Sequence, residues 1–214
     1  MKTNQLKDQK KSILMMVLVL SFLLVLLLFV YMIGTHYNIP FAYLTRDPAS
    51  LCKTYPFIGI LSNLGILFWS AAAAITFVGA MILSKNNKKF ANFLLFSGLF
   101  TSLLLLDDLF MFHEEIFPKV LEIPQNTVLA SYFILSLIYL AKFKDEIFQT
   151  DYFIFFLALF FFFLSLLCDL FLPYSNIEYL IEDGFKLIGI VTWFVFFART
   201  LFIEVQNLIS SHHN

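Results

Sequence analysis

Charged side chains are scarce in this chain. Asp, Glu, Lys and Arg make up 14% of its 214 residues, against ~25% in soluble domains. A soluble fold could not cover its surface with so few, so hydrocarbon must be the solvent for most of the molecule. Basic residues show no excess either. The net charge is -1, which leaves no electrostatic footprint for nucleic acid. Cysteine is limited to Cys52 and Cys168. That excludes a disulfide framework and a Cys-rich metal centre, although the two could pair if both face an oxidising compartment. No repeat of 20–50 residues and no low-complexity linker appears, so a single domain is expected.

What is plentiful is apolar. Hydrophobic residues make up 60% of the chain, and 29 residues are Phe. The phenylalanines read as lipid-facing surface. Residues 1–12 are polar and carry four lysines, and Ile13 to Gly34 is almost wholly apolar. That run is too long for the core of a signal peptide, and no small-x-small cleavage pattern follows it, so it reads as an uncleaved span. Five further spans follow at Phe57–Leu83, Phe90–Phe112, Thr127–Ala141, Tyr152–Leu172 and Glu182–Ile203. Between them lie a loop at 35–56, a basic turn at 84–89 and a loop at 113–126, in which Pro118 and Pro124 should end any helix. A charged turn at 142–146 and a loop at 173–181 complete the set. The expected fold class is all-α, a six-span bundle over 13–203 between a polar segment at 1–12 and a polar tail at 204–214 that holds His212 and His213.

Orientation follows from Lys and Arg. With six spans both termini share a side. That side carries Lys2, Lys7, Lys10, Lys11, Lys85, Lys88, Lys89, Lys142, Lys144 and Arg199, ten of the fourteen basic residues. The bias places both termini in the cytoplasm of a plasma or bacterial inner membrane. Membrane lipids are the expected partners, and nothing in the sequence designates a protein partner.

The acids are distributed the other way. Asp107 and Asp108 close the third span, Asp169 closes the fifth, and Glu182 and Asp183 open the sixth. All five therefore reach one membrane depth on the outer side. An ionisable group within a span costs at least ~2.5–3.5 kcal/mol on insertion scales, so such a group is a functional candidate by default. On a helix, Ser97, Thr101, Asp108 and Glu115 share a face, and Asp107 and Glu114 lie on the next. His113 would point away from Asp108 if that helix continued. Carboxylates at a helix C-terminus meet the negative end of the dipole. His113, Lys186, a bound cation or a proton should offset them. Glu182 and Asp183 sit instead at an expected N-terminus, with Glu182 and Lys186 as an i,i+4 ion pair and Trp193 on the same face.

Asp107, Asp108, His113, Glu114, Asp169, Glu182 and Asp183 are thus the expected lining of an outward pocket. Lys186, Asn63, Ser62 and Trp193 are its other polar contacts, and His36 is a further ligand within reach. Carboxylates with an imidazole suit a divalent metal such as Zn, Mn or Fe. The leading expectation is a pocket for a metal or other cation. The alternative is a membrane-embedded hydrolase acting on a lipid ester or amide, with Asp108, His113 and Asp169 as catalytic groups. The third is a proton- or cation-coupled carrier, which would ordinarily show two repeated halves. The plain alternative is that the acids only solvate a bundle rim.

Ser62-Asn63-Leu64 and the run Leu105 to Leu109 resemble fragments of the alkaline ceramidases. Their superfamily of multipass zinc hydrolases includes the progestin/adiponectin receptors. The resemblance implies a helical bundle and a zinc centre held by three His near an Asp and a Ser. This chain departs from that pattern. It has six expected spans rather than seven, and its last span lacks the His-x-x-x-His pair. A three-His centre therefore does not carry over.

Overall fold

A computed structural model describes residues 2–171 and 176–211. The part of the 173–181 loop at 173–175, and His212 and His213, lie outside the described residues. Among those described there are nine α-helices, one π-helical segment and no strand. Six helices are long and apolar enough to cross a membrane. The fold class is therefore all-α and polytopic. By its contacts the chain divides into two units, Met1–Ile58 and Gly59–Asn214.

In the first unit α1 runs from Lys2 to His36, so the polar segment joins the helix of the first span. The expected loop at 35–56 holds two short helices, α2 (Phe41–Thr45) and α3 (Pro48–Leu51). The ring of Phe41 stacks on Tyr31 at 5.7 Å and occupies the space a Cβ on Gly34 would need. Asp47 caps α3, accepting from the Ala49 and Ser50 amides, and this bond satisfies donors that the first helical turn leaves open.

The second unit is built from α4 (Ile60–Leu83), α5 (Lys88–Phe110), α7 (Gln125–Phe148), α8 (Tyr152–Phe171) and α9 (Asn176–Ser211). Between α5 and α7 lie a π-helical turn, Phe112–Ile116, and α6 (Phe117–Val120). The sequence reading of 113–126 as a loop is thus corrected. Pro118 lies in the first turn of α6, where its missing N–H costs nothing. Two boundaries also shift. The helix α7 runs on to Phe148 but is kinked at Phe143 (φ -113°, ψ 17°), so a break does fall inside the expected charged turn, where the Lys142 ammonium lies 3.7 Å from the ring centre of Phe96. The helix α9 begins at Asn176, six residues before the expected start of the sixth span.

Small residues bring α4, α5 and α9 together. A Cβ on Gly98 would meet Thr76 Oγ1 at 2.8 Å and Phe77 at 2.9 Å, and one on Gly79 would meet Leu94 at 2.7 Å. Such close approach is the packing mode available to helices in lipid. The core between them is aromatic. Phe90, Phe93, Phe143, Phe155, Phe196 and Phe197 are buried around Trp193. Lipid-facing surface therefore accounts for Phe153, Phe160 and Phe163, which are exposed, but not for this inner set. Two buried hydroxyls are paired between helices: Ser97 with the Tyr139 hydroxyl at 2.7 Å, and Thr101 accepting from the Trp193 indole at 3.0 Å. Cys52 and Cys168 are both free thiols.

Gly98→Val should lower the unfolding temperature of the detergent-purified protein, with an overpacking cost of about 1–3 kcal/mol. Gly184→Ala should hold or raise it, because nothing lies within 4 Å of a Cβ there and Ala is the better helix former by up to about 1 kcal/mol.

Candidate functional site

The two carboxylates that close α5 are held in different ways. Met111 adopts a left-handed conformation (φ 51°) that ends the helix, and the π-helical turn begins after it. This break swings His113 back over the last turn of α5. Its backbone amide donates to Asp107 Oδ1 at 3.0 Å, and its Nδ1 lies 2.5 Å from Asp107 Oδ2. The Tyr132 hydroxyl on α7 donates to Asp107 Oδ1 at 2.8 Å. Asp107 is therefore buried with both oxygens bonded. Asp108 projects the other way and forms an ion pair with Lys186 of α9. Its Oδ2 is buried and has no hydrogen-bond partner among the described residues.

These groups line a cavity of about 640 Å³ at one end of the second unit. Of the residues expected from the sequence, Asp107, Asp108, His113, Glu114, Asp169, Glu182, Asp183, Lys186 and Trp193 all line it. Ser62 and Asn63 do not. They are exposed on α4, which corrects their placement as pocket donors. Glu182 and Asp183 do not cap a helix either. The helix α9 starts earlier and Glu178 occupies its first turn. The expected Glu182–Lys186 ion pair is not formed, since the Lys186 ammonium bonds across to Asp108. Glu115, expected on the face of Asp108, pairs instead with Lys119, because the break at Met111 ends the regular helical register.

The sequence reading missed the opposite wall. Gln125, Leu129, Tyr132 and Ser136 of α7 line the cavity, as do Ser165 and Leu166 of α8. Their signal was present: Gln125, Tyr132 and Ser136 recur at i, i+7 and i+11, one face of a helix. The floor was missed as well. Trp69 stacks on Phe162 at 5.6 Å, and Trp193 lies 6.3 Å from each of them.

The acids do not converge on one point. Among the described residues, no group of three or more His, Cys, Asp or Glu is placed to hold a metal ion. Asp107 is taken up by His113 and Tyr132, and Asp108 by Lys186. Asp169, Glu182 and Asp183 are left as a looser group at the mouth, with Glu178 also beside Glu182. What the arrangement offers is a charged rim over an aromatic floor, with six carboxyl groups against two basic ones among the lining residues.

These features define a polytopic helical membrane protein with an acid-rimmed cavity at one end of its bundle. Residues 16–200 match the model of a family described as a domain of unknown function (DUF8692), and the chain belongs to that family. No curated protein and no solved structure matches it.

His113 lies outside the spans, between two carboxylates. Its hydrogen bond to Asp107 raises its pKa above the ordinary imidazole value, with Glu114 adding to this and Lys186 and burial opposing it. A raised folded pKa means that the stabilisation is complete below the unfolded value of ~6.5 and is lost as pH climbs through the folded value. Thermal stability in detergent should therefore fall as pH rises above ~6.5. In His113→Gln that slope should flatten. Tyr132→Phe should lower stability at every pH by about 1.5–3 kcal/mol, the worth of a hydrogen bond to a charged group.

Proposed function

We propose that this protein binds a cation in its acid-rimmed cavity, and that the ligand is an organic ammonium rather than a bare metal ion. The observation that carries the reading is the imbalance of the lining. Six carboxyl groups face two basic groups, and both basic groups are already bonded to Asp107 and Asp108. A cation entering the mouth meets Asp169, Glu182 and Asp183. A bare divalent ion asks for several donors at one point. An alkylammonium spreads its charge over a larger radius and also gains from aromatic faces, which the floor supplies. The excess of Lys and Arg at the opposite end of the spans favours a cavity that opens to the outside of a cell membrane, with both termini cytoplasmic.

Hydrolysis fits the geometry less well. A general base must hold a free lone pair near its substrate. His113 is biased toward its protonated form by Asp107, and Asp108 is tied to Lys186.

Ethylammonium and tetramethylammonium, tested against sodium, Zn²⁺ and Mn²⁺ at matched ionic strength, should raise the unfolding temperature of the purified protein by mass action. Glu182→Gln with Asp183→Asn should abolish the rise. A rise with a divalent metal alone would move the assignment to a metal site, and no rise with any cation would refute the reading. Topology has its own check. Cys52 is exposed, so a membrane-impermeant thiol reagent added to whole cells should label it. Labelling only after permeabilisation would reverse the proposed orientation.

A further inference from the structure

The cavity is deeper than a small ammonium needs, and its character changes with depth. Three helices repeat one pattern. A charged residue stands at the rim with an aromatic one seven residues below it: Asp107 and Phe100 on α5, Asp169 and Phe162 on α8, Lys186 and Trp193 on α9. Seven residues are two helical turns, so each pair shares a face, with its members roughly 10 Å apart along the axis. Leu104, Ser165 and Leu166 line the stretch between, and Leu159 lies a turn below Phe162. On α7 the lining extends from Gln125 to Ser136, roughly 16 Å. Rim and floor are thus separated by a shaft lined by Leu104, Leu129 and Leu166 together with Ser136 and Ser165.

The walls of this shaft part toward the mouth. The helices α7 and α8 meet at the tight turn between them, where Phe148 packs on Tyr152 and Phe156. At their other ends both face the cavity, through Leu129 and Tyr132 on one side and Leu166 and Asp169 on the other. Asp108 stands at the rim with its side chain only 10% exposed, its Oδ1 bonded to Lys186 and its buried Oδ2 within 3.8 Å of where a Cβ on Gly65 of α4 would stand.

We infer that the ligand is a single-chain amphiphilic amine, its ammonium among Asp169, Glu182 and Asp183 and its alkyl chain running down the shaft to Trp69 and Trp193. This rests on the cation reading above and adds the chain. A polar cation alone leaves the shaft unused. A neutral chain leaves the acids uncompensated. Only a molecule with both parts matches both ends.

The chain contains just two tryptophans, Trp69 and Trp193, and both line the cavity. Tryptophan fluorescence, excited selectively at the red edge where tyrosine does not absorb, therefore reports on the floor. The full-length protein in uncharged maltoside micelles is titrated with 12-bromododecylamine, whose terminal bromine quenches indole on contact. The controls are 12-bromododecanol, which has the chain without the charge, and 3-bromopropylamine, which has the charge without the chain. The long amine should quench at a concentration at least tenfold below that of the alcohol, and the short amine should not quench. Glu182→Gln with Asp183→Asn should erase the difference between long amine and alcohol. Ser136→Phe places a ring in the shaft and should weaken quenching by the long amine. Ser165→Phe is a second plug should the first fail to fold. Equal quenching by amine and alcohol would overturn the inference, since micelle partitioning then explains both. If the short amine raises the unfolding temperature while the long amine fails to quench, cation binding stands and the amphiphile does not. If no amine binds, both fall.

Discussion

The bundle must hold carboxylates at the edge of a low-dielectric interior, and much of its architecture answers that demand. Asp107 and Asp108 are adjacent at the end of α5, so their side chains diverge and cannot share one counter-charge. Asp107 is met by a histidine from its own chain segment, Asp108 by a lysine from another helix. The first solution needs a break in the helix, and the second needs α9 alongside. A left-handed Met111 is a backbone state that costs of order 1–3 kcal/mol for a residue with a side chain. It is held because it places both the amide and the ring of His113 on the same carboxylate.

The second consequence is spatial. The lower half of α7 packs on α5 through Tyr139 and Phe143 against Phe93, Phe96 and Phe100. Its upper half is joined to α5 through the Tyr132 hydroxyl on Asp107. One hydrogen bond thus closes the cavity on that side, where a packed core would otherwise have filled the space.

The spans were legible in the sequence because hydropathy alone decides which segments cross hydrocarbon. The acids were legible as a group because three helices place them at one depth. Boundaries were harder to read wherever polar residues face inward. Glu178, Glu182 and Asp183 depress the hydropathy that marks a span, so the sequence suggests a late start for a helix that begins at Asn176. In α7 the charges from Lys142 to Glu146 read as a turn, and the structure answers with a kink at Phe143 after which the helix resumes to Phe148. The turn at Met111 had no signal. No glycine marks it, and the Asp107–His113 contact that accompanies the π-helical turn joins residues whose pairing the regular helical register does not suggest.

Partner choice was illegible for the same physical reason. Glu182 and Lys186 are spaced for an i,i+4 pair, and local geometry favours it. Such a pair is worth only a few tenths of a kcal/mol on an exposed helix. Asp108 is largely buried, with a side chain 10% exposed, and a buried carboxylate without a counter-charge costs far more than a surface pair returns. The lysine therefore goes where the penalty is greatest. Glu182 is left at the rim beside Asp169 and Asp183 without a basic partner of its own, and the cavity acquires its uncompensated sign. The excess of negative charge at the mouth is what remains of a competition that the buried carboxylates won.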